Sequence, residues 1–265
     1  MIPFEHGSPA DSPMTAWPRS CVSNDMQRPN DSSPVRRHLG SMFLLTFLIA
    51  SQVRAANLTT PAPPAVIAFG RYVALQGQRD PFANSEPVAV LIEASLPELY
   101  KSAALVAVRT PGEDVLQVLR VAGDGTVLSE VVERYLSLRQ RIDGLSTASS
   151  AITPANYKFH FGGEVKTGGS TAYMFDVCPK KRRPGLLSGQ LWMDSATGQE
   201  VMLSGNLSDM LAPGNRVDVV RETEVINGVV AARVTHLRFV VPRLGPAEVV
   251  VTEASPKFLA LSPVE

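Results

Sequence analysis

Two cysteines, Cys21 and Cys178, are too few for a disulfide framework in a chain of 265 residues. Histidine is nearly as scarce. His6, His38, His160 and His236 are the whole supply, and two of them lie near the N-terminus. Neither HExxH nor CxxC occurs, so the sequence offers no metal site. Ser188 and Ser204 each precede a glycine, but neither sits in a Gly-x-Ser-x-Gly elbow. The formal net charge is zero. That excludes the basic excess of a nucleic-acid binder and gives no support for a polyanionic substrate. No apolar run reaches the roughly 20 residues that a membrane-spanning helix needs. These absences leave no catalytic, cofactor or metal constellation, and the expectation is a protein that is not an enzyme. Cys178 is the one nucleophile to weigh, since a basic loop follows it and would lower its pKa. With no histidine near it in sequence, its other reading is a small buried hydrophobe.

What is present begins with an unusual N-terminus. Residues 1–35 are rich in Pro, Ser, Asp and Asn and lack periodicity, which predicts a disordered extension. Arg36 and Arg37, the apolar run Met42–Ala50 and the small residues Val53 and Ala55 then form the three parts of a signal peptide over residues 36–55, cut between Ala55 and Ala56. A periplasmic or extracellular protein follows. The depth of the signal fits a start assigned too far upstream, with translation beginning at Met26 or Met42. Cys178 would then be alone in the mature chain. Residues 56–64 read as a flexible leader, and residues 65–265 as a single antiparallel β domain.

The fold class rests on alternation. In Tyr157-Lys158-Phe159-His160-Phe161 the aromatics share one face, and in Tyr173-Met174-Phe175-Asp176-Val177 they do so again. Gly168-Gly169 and the turn Ser195–Gly198 break the runs as hairpins, and Pro179–Gly185 is too polar and proline-rich for strand. Further strands follow over residues 217–226, 229–241 and 248–254, the first two joined by Asn227-Gly228. Three or four precede, over residues 87–92, 103–109 and 115–121, while 65–78 is ambiguous between strand and helix. One helix stands out, over 126–143. Val131, Tyr135, Leu138 and Ile142 form its apolar stripe, Thr126 is a candidate N-cap and Gly144 stands just past its end. The pattern is α+β: a large curved antiparallel sheet, half-barrel-like and of roughly ten strands, with one principal helix on one face.

Ile152–Tyr157, Ala172–Phe175, the basic loop Lys180-Lys181-Arg182-Arg183 and Gly185–Asp194 resemble an exported bacterial family of unassigned function. The order of strand, basic loop, strand ending in Trp192-Met193-Asp194 and Thr197-Gly198 turn is similar to the outer-membrane lipoprotein-sorting proteins, the Lol carriers. That resemblance covers about residues 127–254. It implies an open half-barrel whose apolar concave face, covered by helices, carries acyl chains of lipids or lipoproteins. The carriers begin with a long helix ahead of the first strand, and none is legible here.

On that footing Tyr157, Phe159, Phe161, Tyr173, Phe175, Leu191 and Met193 are candidates to line a cavity. Val131, Tyr135, Leu138 and Ile142 would face it from a lid helix. The same aromatics could equally be a filled core. Lys180, Lys181, Arg182 and Arg183, with Leu186 and Leu187 as an apolar tip, could meet a membrane surface or an envelope protein, or could be a solvated hairpin end. Two functions stand: a carrier of acyl chains, and an envelope interaction module with a solid core.

Overall fold

The computed structural model describes residues 62–76, 82, 87–110, 115–145, 147–167, 170–181, 183–208, 216–226 and 229–255. The extension 1–35, the signal peptide with its Ala55–Ala56 cut, most of the leader, the two glycine turns at 168–169 and 227–228, and Arg182 lie outside these residues.

Ten strands form one antiparallel sheet: β1 (Val88–Leu96), β2 (Lys101–Arg109), β3 (Leu116–Gly123), β4 (Tyr157–Thr167), β5 (Ser170–Pro179), β6 (Leu187–Asp194), β7 (Glu200–Ser208), β8 (Arg216–Ile226), β9 (Val229–Val241) and β10 (Gly245–Ala254). Their order across the sheet is β3-β2-β1-β10-β9-β8-β7-β6-β5-β4. It is a meander cut open between β3 and β4 and joined instead between β1 and β10. The fold is the α+β curved open sheet that the alternation predicts. Because β3 and β4 are the two edges, the segment between them must cross the sheet from one side to the other. Ten flat strands would set those edges roughly 43 Å apart.

The crossing segment is the principal helix, α2. A turn at Gly125–Val127 leads through a π-turn at Leu128–Val132 into Glu133–Asp143. At about 1.5 Å per residue it runs for about 28 Å. Val131, Val132, Tyr135 and Leu138 are buried in one core with the inward residues of the sheet. Glu130 and Arg134 pair at 3.1 Å on the outer side, in the favourable order.

The cap is Asp124 and not Thr126. Asp124 Oδ1 accepts from the backbone N–H of Thr126 at 2.8 Å and of Val127 at 3.3 Å. A carboxylate two residues earlier takes the place of the hydroxyl. The Lys101 side chain, 3.1 Å away, and then those two N–H groups hold the Asp124 carboxyl below its ordinary value. Its contribution is therefore present above the ordinary carboxylate range and is lost as pH falls through the lowered value. Asp124→Ala should melt below the natural protein at neutral pH in a thermal scan, and the gap should close on acidification. Equal melting at neutral pH would show that the cap contributes nothing.

The ambiguous stretch is a helix, α1 (Pro64–Gln76), so the chain has a helix ahead of its first strand after all. It starts inside the expected leader. Its apolar residues run around the cylinder: Ala68 and Tyr72 are buried, while Val66 and Ile67 are exposed. The 3.6-residue period is blurred for that reason. α1 lies on the β6–β7 turn, where Arg71 donates to the Ala196 carbonyl. Gly198 at φ +75° makes the seat possible, since a Cβ there would stand 2.7 Å from the Ala68 carbonyl oxygen.

Candidate functional site

α1 fills the aromatic half of the concave face. The Phe69 ring meets Phe159 edge-on at 4.8 Å and lies 5.4 Å from Phe175. Tyr173, Phe175, Leu191 and Met193 are buried beneath it as solid core. Phe159 is half-buried, and Phe161 is 55% exposed beside a bulge in β4. Of the seven candidate cavity residues, Tyr157 alone lines the cavity between α2 and the sheet. α1, whose apolar stripe is blurred in the sequence, occupies the space over the aromatic residues through Phe69.

That cavity lies over the other half of the sheet, between α2 and strands β2 and β7–β10, with a volume of about 470 Å³. Such a volume falls in the roughly 300–1,000 Å³ range of small-ligand pockets. Tyr135, Leu138 and Ile142 of the expected lid helix face it, whereas Val131 is packed in the core. Its apolar wall is Leu187, Leu203, Leu207, Val219, Leu237 and Val251 from the sheet, with Ile152 from the connection after α2.

One end of the cavity is charged. Arg109, Arg139, Arg221, Arg233 and Glu253 all line it. Glu253 is opposed by Arg233 in the β9–β10 register. It stands 3.8 Å from Arg109, 3.8 Å from Arg139 and 4.0 Å from Arg233. Arg221 makes a two-pronged pair with Glu200, Nε–Oε1 at 2.7 Å and Nη2–Oε2 at 2.9 Å. Burial alone would lower the Arg221 pKa, but the charge and hydrogen bonds of Glu200 outweigh it and hold the guanidinium above its ordinary value. Tyr72 projects from α1 into the same cavity, is 1% exposed, and its hydroxyl has no hydrogen-bond partner among the described residues. Burial first, and then the Glu200 charge, push that hydroxyl far above the ordinary phenol range, so it stays a neutral donor.

The sequence carried a signal for this cluster. On β2, β8, β9 and β10 a charged residue interrupts a largely apolar inward, period-two phase. Arg109 follows Ala103, Leu105 and Ala107; Arg221 follows Val217 and Val219; Arg233 precedes Leu237 and Phe239; Glu253 follows Ala247, Val249 and Val251. A charge in the apolar phase is a buried charge, and it needs a partner.

The basic loop is held at its base. Lys180 Nζ donates to the Pro154 carbonyl at 2.5 Å, and Arg183 Nη2 donates to Asn156 Oδ1 at 3.0 Å. Lys180, Lys181 and Arg183 are exposed. Leu186 and Leu187 form no apolar tip, being each 4% exposed and part of the core; the Leu187 N–H donates to the Tyr157 hydroxyl at 3.0 Å. Cys178 is buried and is not a free thiol, which removes it as a nucleophile. His160 and His236 are exposed on different strands, and among the described residues no group of His, Cys, Asp and Glu could hold a metal ion. No described helix is long and apolar enough to cross a membrane.

The fold is similar to that of the lipoprotein-sorting carriers. A LolA superfamily protein from Nitrosomonas europaea matches 76% of this chain and 99% of its own, at 10% identity and a TM-score of 0.33. A putative outer membrane lipoprotein-sorting protein domain from Vibrio parahaemolyticus matches 69% of this chain and 88% of its own, at 8% identity and a TM-score of 0.32. MucB, solved in complex with periplasmic MucA, matches 72% of this chain and 94% of its own, at 10% identity and a TM-score of 0.23. No family model and no curated protein sequence matches the chain. A likeness at these identities and scores says nothing of a ligand.

Proposed function

We propose that this is an exported protein of the cell envelope, not an enzyme, whose cavity takes an acyl chain of a lipid or lipoprotein. The observation that carries the reading is the cavity of about 470 Å³ under α2, walled along most of its length by Leu138, Ile142, Leu203, Leu207, Val219 and Leu237. Apolar side chains facing open space are stabilised by an apolar occupant. The resemblance of the basic loop and the Trp192 strand to the Lol carriers supports the same reading. So does the signal-like run that ends at Ala55. The test is thermal unfolding with and without a long-chain lysophospholipid or lipopeptide. At a hundred times Kd such a ligand should add about 2.7 kcal/mol to stability.

A second reading, an envelope interaction module, is favoured by β3. This edge strand is exposed along almost its whole length, with Val118, Leu119 and Val121 each about half exposed. An open, apolar edge can accept a strand from a partner. If no acyl ligand raises the melting temperature, the carrier reading fails and this one stands.

A further inference from the structure

The charged end of the cavity is out of place for a carrier of uncharged chains. Four strands and a helix each spend an inward position on it, where an apolar residue would pack without needing a partner. Each guanidinium has five N–H donors in a planar fork, so one that already holds a carboxylate can still bind a second anion. Tyr72 adds a buried O–H with no partner, aimed into the same space. A buried donor left unsatisfied costs stability, and an arriving acceptor removes that cost.

We infer that the cavity selects a single-chain amphiphile ending in one anionic group, a carboxylate or a phosphate, with the chain along Leu138, Leu203 and Leu237 and the anion held by Arg221, Arg233 and the Tyr72 hydroxyl. This rests on the acyl-chain reading above and adds the head group to it. Arg221 and Arg233 both stand on the sheet, so a bound anion is fixed to the floor of the cavity. Tyr72 ties α1 to the same point.

Titration calorimetry on the full chain tests it with laurate, dodecyl phosphate, dodecanol, acetate and inorganic phosphate. Laurate and dodecyl phosphate should each bind at least about tenfold more tightly than dodecanol, the usual worth of a hydrogen bond to a charged group. Acetate and inorganic phosphate should bind more weakly than either amphiphile. Tyr72→Phe removes only an unsatisfied hydroxyl, so its melting temperature should equal or exceed that of the natural protein. Its preference for laurate over dodecanol should fall several-fold. Arg233→Gln should lower the same preference. Equal binding of laurate, dodecyl phosphate and dodecanol would overturn the inference and leave the acyl-chain reading intact. Inorganic phosphate binding as tightly as dodecyl phosphate would show a free-anion site and overturn the amphiphile. Binding of no amphiphile would overturn both.

Discussion

Leu191→Ala should cost about 3–4 kcal/mol of stability, and Leu138→Ala only about 2 kcal/mol. Both side chains are essentially inaccessible, 0% and 1% exposed. Burial alone therefore predicts equal losses. The difference lies in what surrounds them. Leu191 sits between Phe175 and Leu203 in the cross-strand register, in the half of the sheet that α1 fills. Removing its methyl groups there opens a new void in close-packed surroundings, and the cost rises with the volume left empty. Leu138 already borders the cavity. Its truncation enlarges a space that exists, and the atoms that faced that space had fewer contacts to lose. Urea unfolding followed by circular dichroism gives both values, provided the denaturant slope is unchanged. Saturation with an acyl ligand should widen the Leu138 loss, because the natural protein then gains contacts the variant cannot make, and leave the Leu191 loss as it was. Equal losses in both proteins, with or without ligand, would mean that the cavity closes in solution.

The strands were legible because the sheet is antiparallel and half-buried, so most strands alternate and the turns carry glycine, proline or aspartate. The extent of α2 was legible for a related reason: its stripe Val131, Tyr135, Leu138 and Ile142 faces one surface only. α1 was not, because Val66 and Ile67 are apolar yet exposed and blur its stripe. That blurred stripe hides what covers the aromatic half of the sheet. Without α1 the aromatic residues of β4 and β5 looked like the walls of an opening; with it they are a filled core around Phe69. The charged end was half legible. Arg109, Arg221, Arg233 and Glu253 each break an apolar phase within a single strand. Their convergence needs the β2-β1-β10-β9-β8 order, and the β1–β10 pairing that creates it joins strands from opposite ends of the described chain. Nothing local encodes that pairing. Arg139 on α2 reaches Glu253 only because the helix must cross from one sheet edge to the other.

Arg221→Met should destabilise the protein by about 3 kcal/mol, whereas Arg221→Met combined with Glu200→Gln should cost about 1 kcal/mol or less. The pair is bidentate, and the two side chains are 10% exposed for Glu200 and 29% for Arg221. Taking both charges out of water is expensive, and their attraction in this setting roughly repays it, so removing both together changes little. Removing the arginine alone leaves the glutamate with its desolvation cost and without its partner. The partial exposure of Arg221 toward the cavity places the loss at the lower end of the range for a broken buried pair, since solvent in the cavity screens part of the interaction. Arg221→Lys separates charge from geometry. A lysine keeps the positive charge but cannot make two parallel hydrogen bonds, so its loss should fall between the single and the double variant. With Glu200→Gln alone added, the natural protein, the two single variants and the double variant form a double-mutant cycle, Arg221→Lys being a conservative branch, and equilibrium unfolding of each gives the coupling directly. A coupling near zero, with Arg221→Met costing no more than the double variant, would show that Glu200 and Arg221 are solvated separately, and that this end of the cavity is wet and open.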